Sequence, residues 1–169
     1  AFFCMVFAST MVNVAIPNVM GTFGVGQDKA QFLSSAFLAT TVASLLANTW
    51  LIARFGQPAV FSMCLIVFIL GSFVSSFAPT LDMIIFGRVI QGFGAGVIQP
   101  LIMVLLFDIF PREKRGIAMG FFSMGVGFAL GLAPALGGIV VDTLGWRYVF
   151  LIPVPVALLS LALGVFFIP

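Results

Sequence analysis

IIFGRVIQGFGAGVIQP, residues 84–100, places one arginine inside a long apolar segment of the chain. Arg88 is the one charge in the sequence that lies well away from the ends of an apolar segment. A charged side chain at the centre of a membrane-spanning helix costs about 2.5–3.5 kcal/mol on insertion scales, and such residues commonly serve a function. The segment therefore predicts a membrane helix in which Arg88 has a functional role.

Helical spacing places two amides on the face that carries Arg88. Gln91 follows the arginine at i+3 and Gln99 follows it at i+11, so all three side chains share one face of the helix. Small residues on the adjacent faces predict close approach by neighbouring helices. These residues are Gly92, Gly94 and Gly96.

The composition of the whole chain is that of an integral membrane protein. Of its 169 residues 62% are hydrophobic and 7% are charged, whereas soluble domains carry about 25% charged residues. The sequence has no histidine, which removes the commonest metal ligand and general base. Cys4 and Cys64 lie within apolar segments and are interpreted as buried hydrophobic residues. We therefore expect no metal, no cofactor, no nucleic-acid partner and no enzymatic activity.

Apolar segments of membrane-spanning length occur six times along the chain. A spanning helix needs about 20 predominantly apolar residues, and the segments cover residues 1–21, 31–53, 58–78, 82–109, 116–141 and 147–168. Their short connections force consecutive helices to run antiparallel. The fold class is thus an all-α integral membrane bundle in contact with the lipid bilayer. Both ends of the chain are apolar, so we expect a piece of a longer protein.

The connections differ in their content of basic residues, which predicts the orientation. The second and fourth connections carry most of the basic side chains, and these are Arg54, Arg112, Lys114 and Arg115. The other connections carry Lys29 and Arg147. Basic loops favour the cytoplasmic side, so we expect a multi-pass protein of the cell (inner) membrane with both ends of this segment cytoplasmic. Arg88 would then lie about 9 Å along its helix from the outer end.

Polar and aromatic residues mark further positions in the spans. Thr10 and Asn13 share a face of the first span with Pro17, where they either bind a ligand or join two helices. Trp50 and Trp146 are predicted to be anchors at the two membrane–water interfaces.

The fifth span carries a helix face with almost no side chains. Its members follow at i, i+7, i+11, i+14 and i+18, and they are Gly120, Gly127, Gly131, Pro134 and Gly138. The pattern predicts a tight helix-packing face, and Pro134 permits a bend because it removes a backbone hydrogen bond. Such a helix, with Gly137 beside this face, would suit an interface that rocks.

Charged residues at the ends of the spans suggest a latch. Asp108 ends the fourth span and is expected to pair with Arg54 or Arg112 across the mouth of the bundle. A partly buried pair of this kind would hold one state of a two-state protein. The basic loop PREKRG, residues 111–116, has a simpler interpretation as a topology signal.

Five segments of this chain resemble motifs of one family. FGRVIQGFGAG (86–96) resembles the R-x-x-Q-G-x-G motif of the major facilitator superfamily, and GLAPALGG (131–138) resembles the antiporter motif of its proton-coupled drug exporters. TMVNVAIP (10–17), TWLIARFG (49–56) and WRYVFLIPVP (146–155) are similar to motifs of the fourteen-span branch of those exporters. Together they cover the chain in the expected order and resemble the amino-terminal six-helix half of such a transporter, residues 1–169.

The resemblance implies alternating access between this bundle and a second half of six to eight helices that is absent from the chain. It matches Arg88 to the arginine implicated in proton coupling, and Gln91 and Gly92 to its neighbours in the motif. It assigns further positions to the antiporter motif: Gly120, Pro134, Gly137 and Gly138. The inner gating loop is represented by Arg54 and Gly56, with Asp108 as charge partner.

One departure from the family bears on the coupling. Ala8 stands where the family has an aspartate, and the six spans contain no carboxylate away from their ends. The aspartate is the family's expected proton carrier, so a carboxylate in the second half would have to replace it.

These observations favour a secondary transporter that exports amphipathic drugs or metabolites in exchange for protons. The residues expected to bind substrate or protons are Arg88, Gln91, Asn13, Thr10 and Gln99. An organic-anion or metabolite carrier that uses Arg88 as its binding cation is the alternative. A membrane scaffold without transport activity would leave the glycine face beside a buried arginine unexplained.

Overall fold

The computed structural model describes residues 1–167, in which the regular elements are helices. The α-helices are α1 (Phe2–Phe23), α2 (Gln27–Ala30), α3 (Phe32–Phe55), α4 (Gln57–Ser76), α5 (Leu81–Ile109), α6 (Arg115–Thr143) and α7 (Pro153–Phe167). Two 3₁₀ turns, Arg112–Lys114 and Trp146–Phe150, precede α6 and α7. Within this part of the chain six helical segments are long and apolar enough to cross a membrane, which confirms the predicted six spans.

Two boundaries differ from the prediction. The connection expected at residues 21–30 is shorter, because α1 continues to Phe23 and stops only where Gly24 turns into the left-handed region (φ 62°). The sixth span, expected as one helix over 147–168, begins instead as a 3₁₀ turn and becomes α-helical at Pro153. Proline has no N–H for a continuous helix, and it fits best in the first turn. Ile168 lies outside the described residues.

The central helix of the bundle is α5, which lies between α3 and α4. Its glycines allow this close packing: a Cβ added at Gly92 would lie 2.5 Å from the carbonyl oxygen of Phe37 in α3. A Cβ added at Gly94 would lie 2.5 Å from the carbonyl oxygen of Cys64 in α4. The prediction that neighbouring helices approach these glycines closely is confirmed.

The glycine face of α6 is open, so the predicted tight packing is wrong within this bundle. A Cβ added at four of its positions would meet nothing within 4 Å, and these are Gly120, Gly127, Gly131 and Gly138. Pro134, inside α6, is also exposed. The helix packs on α1 with another side, which presents Ala129, Ala133 and Gly137. Only Gly137 of the predicted set packs against α1, where an added Cβ would lie 3.4 Å from the Cα of Met11.

The two tryptophans occupy different environments. Trp50 is 61% exposed, as expected of an interface anchor, whereas Trp146 is 8% exposed. The indole Nε1 of Trp146 donates to the hydroxyl of Thr22 at 3.1 Å, so this residue joins the 3₁₀ turn to α1. Its predicted role as an exposed anchor is therefore wrong. Cys4 and Cys64 are buried free thiols, as predicted.

Candidate functional site

Arg88 is fully buried where α1, α3 and α5 meet, and each of these helices contributes an acceptor. Its Nε donates to the carbonyl oxygen of Leu33 at 3.1 Å. Its Nη1 donates to Oε1 of Gln91 at 2.8 Å and approaches the carbonyl oxygen of Ala8 at 3.5 Å. The guanidinium carbon lies 4.1 Å from the centroid of the Phe37 ring, a cation–π contact. We call these groups the Arg88 cage.

A second layer of hydrogen bonds connects the cage to α4. Gln91 is fully buried, and its Nε2 donates to Oγ of Ser72 at 2.7 Å. The Ser72 hydroxyl donates in turn to the carbonyl oxygen of Phe68 at 3.0 Å. The i+3 spacing of Arg88 and Gln91 thus lets one side chain orient the other while the amide reaches a fourth helix.

The charge of Arg88 is balanced by dipoles and an aromatic ring within the described residues. Carbonyl groups in a helix keep a second lone pair that can accept from a guanidinium. The acidic side chains in this part of the chain are exposed at helix ends, and they are Asp28, Asp82, Asp108, Glu113 and Asp142. Nη2 of Arg88 has no hydrogen-bond partner among the groups that the structure describes. The cage therefore lacks an acceptor for Nη2.

A cavity of about 160 Å³ lies between the same three helices and adjoins the cage. We call it the central pocket, and it is lined by Phe2, Met5, Val6, Ser9, Phe37, Leu38, Thr41, Ala95 and Gln99. Ala95 and Gln99 follow Arg88 at i+7 and i+11, so the helix face predicted from the sequence carries both the cage and the pocket. The polar side chains of the lining are uncharged.

The two polar residues predicted on α1 lie apart from Arg88. The hydroxyl of Thr10 donates to the carbonyl oxygen of Val6 at 2.6 Å, within its own helix. Oδ1 of Asn13 accepts from the hydroxyl of Ser34 at 2.6 Å, which joins α1 to α3. Asn13 also lines a separate cleft of about 460 Å³ with Gln27 and Gln31. The structure therefore brings Gln99, but neither Thr10 nor Asn13, to the pocket beside Arg88.

At the opposite end of the bundle Asp108 has a different partner from those predicted. Its Oδ2 accepts from Nε2 of Gln57 at 3.2 Å, and Arg54 and Arg112 are exposed and do not bond to it in the described part of the chain. Gly56, with φ at 80°, turns the chain sharply between α3 and α4 and places Gln57 at the start of α4. The contact at Asp108 is thus a hydrogen bond from an amide, and the predicted ion pair with Arg54 or Arg112 is not formed in the described residues.

Arg115 contributes to the same end in a way the sequence did not suggest. Its Nη2 donates to the carbonyl oxygen of Phe107 at 2.6 Å and its Nε donates to that of Phe110 at 3.2 Å. The last carbonyls of a helix have no partner within the helix, and a cation there also complements the helix dipole. The basic loop therefore caps α5.

Sequence reasoning missed the groups that complete the Arg88 cage. Two of the acceptors are main-chain carbonyls, at Ala8 and Leu33, and the identity of a side chain does not indicate whether its carbonyl accepts such a bond. Phe37 is one of 21 phenylalanines and has no distinguishing spacing. Ser72 gave a weak signal, because Gly71 and Ser75 lie with it on a small polar face of α4 that packs against α5.

Ser72→Ala should destabilise the protein by about 1–3 kcal/mol, because the buried amide of Gln91 loses its acceptor. The thermal midpoint of the purified protein measures this. Ser62→Ala is the matched control on α4: this hydroxyl donates to Pro58 of its own helix, and its loss should change the midpoint little. Equal midpoints for the two variants would show that the Gln91–Ser72 bond does not support the cage.

The comparisons with known proteins agree with this architecture. The sequence profile of the Major Facilitator Superfamily matches residues 1–169. The chain is 36% identical over 158 residues to the multidrug export protein EmrB of Haemophilus influenzae, and the matched region covers 94% of this chain and 31% of the relative. It is 34% identical over 166 residues to the uncharacterized MFS-type transporter YhcA of Bacillus subtilis, covering 97% and 31% respectively.

A solved structure shows the same fold. The proton:xylose symporter XylE, bound to 6-bromo-6-deoxy-D-glucose, superposes with a TM-score of 0.86 at 16% identity, covering 99% of this chain and 42% of the symporter. This all-helical bundle is thus the fold of a membrane transporter half, and the chain belongs to the Major Facilitator Superfamily. It spans about a third of the length of the curated relatives it matches.

Proposed function

We propose that this chain is the amino-terminal six-helix half of a secondary transporter that exports amphipathic compounds in exchange for protons. The observation that carries the proposal is a fully buried arginine beside a pocket that opens between α1, α3 and α5. Ionisable residues inside a membrane mark substrate or proton pathways. The relatives named as multidrug export proteins support the direction and the class of substrate.

The size of the central pocket supports the need for a second bundle. Sites for drug-sized ligands enclose about 300–1,000 Å³, whereas the pocket here encloses about 160 Å³. A second half of six to eight helices, packed over the open side, would enlarge and close the site. Transporters of repeated architecture bind substrate between two such halves near the bilayer midplane.

The open glycine face of α6 fits movement between two bundles. Four glycines with empty space around them give a helix that another helix can approach closely. Because the face has no protruding side chains, a partner helix can change its angle there without a steric barrier. We therefore place the rocking contact of alternating access at this face.

The proton carrier is proposed to lie in the second bundle. At Ala8 a main-chain carbonyl, rather than a carboxylate, faces Nη1 of Arg88. Arg88 is 0% exposed within this bundle, so a carboxylate from the other half would reach the unpartnered Nη2 only in a conformation that opens the cage. It could exchange a proton as the bundles rock into and out of that conformation, because pairing with Arg88 would favour its ionised form. Arg88 would then set when the proton is released.

The same unpartnered donor favours one alternative, an organic-anion or metabolite carrier. Nη2 of Arg88 could bind the carboxylate of a substrate directly. The second half decides between the two proposals: an acidic residue facing Arg88 would leave no free donor for an anionic substrate.

We propose a location in the cell (inner) membrane with both ends of this segment cytoplasmic. The basic side chains at the α3–α4 and α5–α6 connections support this orientation, since Arg54, Arg112 and Lys114 are exposed there.

The test is proton-coupled transport by the complete polypeptide in proteoliposomes. An imposed pH gradient should drive movement of a fluorescent amphipathic cation, and dissipating the gradient with an ionophore should stop it. If the gradient has no effect and an organic anion moves instead, the exporter proposal is overturned and the anion carrier stands.

A further inference from the structure

Phe37 belongs to both the Arg88 cage and the central pocket. Its ring centroid lies 4.1 Å from the guanidinium carbon of Arg88, and the same residue lines the cavity with Thr41 and Gln99. Phe37 is 4% exposed and Arg88 is 0% exposed. Phe37 is thus the residue shared by a buried cation and a pocket whose lining does not include Arg88, and we call its ring the partition.

The position of this partition is fixed by the packing of α3 on α5. The backbone of α3 at Phe37 packs so closely on Gly92 of α5 that a Cβ added at Gly92 would lie 2.5 Å from the carbonyl oxygen of Phe37. The backbone at Phe37 therefore has no room to move toward α5. The Leu33 carbonyl, one turn earlier in α3, is bonded to Nε of Arg88. Backbone and guanidinium thus hold the ring in place from two directions.

The partition separates two chemically different compartments. Behind the ring is a cation with an unpartnered Nη2. In front of it the polar groups are neutral, namely the hydroxyls of Ser9 and Thr41 and the amide of Gln99. A carboxylate that entered the pocket would lose its hydration without reaching the charge that could replace it, and this is costly.

We propose that Phe37 sets the charge specificity of the central pocket. By closing the pocket off from Arg88, the ring makes the pocket accept the uncharged aromatic part of a substrate and reject an aromatic carboxylate of the same shape. This inference rests on the proposed function, since it assigns the substrate class of the same site. Phe37 acts through Arg88 and is a specificity-determining residue.

The test compares two ligands that differ only in charge, 1-naphthamide and 1-naphthoate, on the complete transporter in nanodiscs. Isothermal titration should show that the wild-type protein binds the amide more tightly. In Phe37→Ala the affinity for the carboxylate relative to the amide should rise about tenfold, the equivalent of one charged hydrogen bond. Adding Arg88→Gln to Phe37→Ala should remove that gain.

Leu38→Ala is the matched control, because Leu38 lines the same pocket on the same helix and is 57% exposed, whereas Arg88 is 0% exposed. It enlarges the pocket without opening it onto the guanidinium, so the ratio of the two affinities should stay at the wild-type value. If the alanine variant does not fold, Phe37→Leu replaces it in the comparison of the two affinities. A leucine cannot lie flat over the guanidinium, and the ratio should shift in the same direction.

Several results would overturn the inference. Equal gains in Phe37→Ala and Leu38→Ala would mean that pocket size matters and the partition does not. A wild-type protein that binds the two ligands equally, or that binds neither while still transporting, would also exclude it. Transport of the fluorescent cation is measured on the same preparations, so loss of the proposed function is seen separately from loss of ligand discrimination.

Discussion

Arg88→Ala should reduce pH-driven transport by about 100-fold or more, a loss equivalent to about 2.7 kcal/mol, while the protein still inserts and folds. The side chain joins acceptors on α1, α3 and α5, and no other cation in the described residues can take its place in the cage. Removal of the arginine leaves Oε1 of Gln91 without its donor, which costs about 1–3 kcal/mol, but it also relieves the cost of burying a charge. The thermal midpoint should therefore fall only moderately, and the protein should remain folded while transport is lost. Initial rates in proteoliposomes and thermal midpoints measure the two effects.

Arg88→Lys separates charge from geometry. An ammonium keeps the charge but lacks the planar fork that reaches Leu33 and Gln91 together. Transport should therefore be intermediate between the wild-type and alanine rates. Arg147→Ala is the matched control, because Arg147 is exposed at a helix end. Wild-type transport in Arg88→Ala would refute the central role assigned to this residue.

Gly94→Leu should prevent stable folding, with a destabilisation above about 3 kcal/mol. A side chain at this position would run into the backbone of α4 at Cys64, and backbone cannot move aside as a flexible side chain can. The yield of monodisperse protein after purification, and its thermal midpoint, measure the effect.

Gly131→Leu makes the same substitution on the open face of α6 and should have the opposite consequence. The added side chain meets nothing within this bundle, so stability should remain near the wild-type value. Transport should slow, because the leucine would protrude into the proposed contact with the second bundle. Unchanged transport in Gly131→Leu would show that the glycine face is not a moving interface. Normal folding of Gly94→Leu would contradict the packing of α5.

The six spans, and the placement of Arg88 inside one of them, could be predicted from the sequence, because both follow from the cost of exposing polar groups to lipid. The glycines of α5 and α6 could not be told apart. Both helices carry small residues at helical spacing, yet one set contacts neighbours within the bundle and the other does not. Which glycine face is filled depends on the arrangement of all helices, and a single helix pattern does not contain that information.

Two predictions about the candidate site were wrong for similar reasons. The pairing of Asp108 with an arginine was inferred from charge alone, whereas the turn at Gly56 places the amide of Gln57 there. Thr10 was grouped with the binding residues, but its hydroxyl is satisfied within its own helix. Such contacts depend on distances between helices, and the spacing of residues within one helix does not determine those distances.

The acceptors that α1 and α3 offer to Arg88 are main-chain carbonyls, at Ala8 and Leu33. Substituting either residue changes a side chain and leaves the acceptor atom where it was. Both side chains are buried in the core, so a deep mutational scan of these helices would report how well each substitute packs and would not report on the carbonyl on which the arginine depends. The interaction can persist through extensive sequence drift, and only replacement of the amide by an ester in the backbone, which weakens the carbonyl as an acceptor, would reveal its contribution.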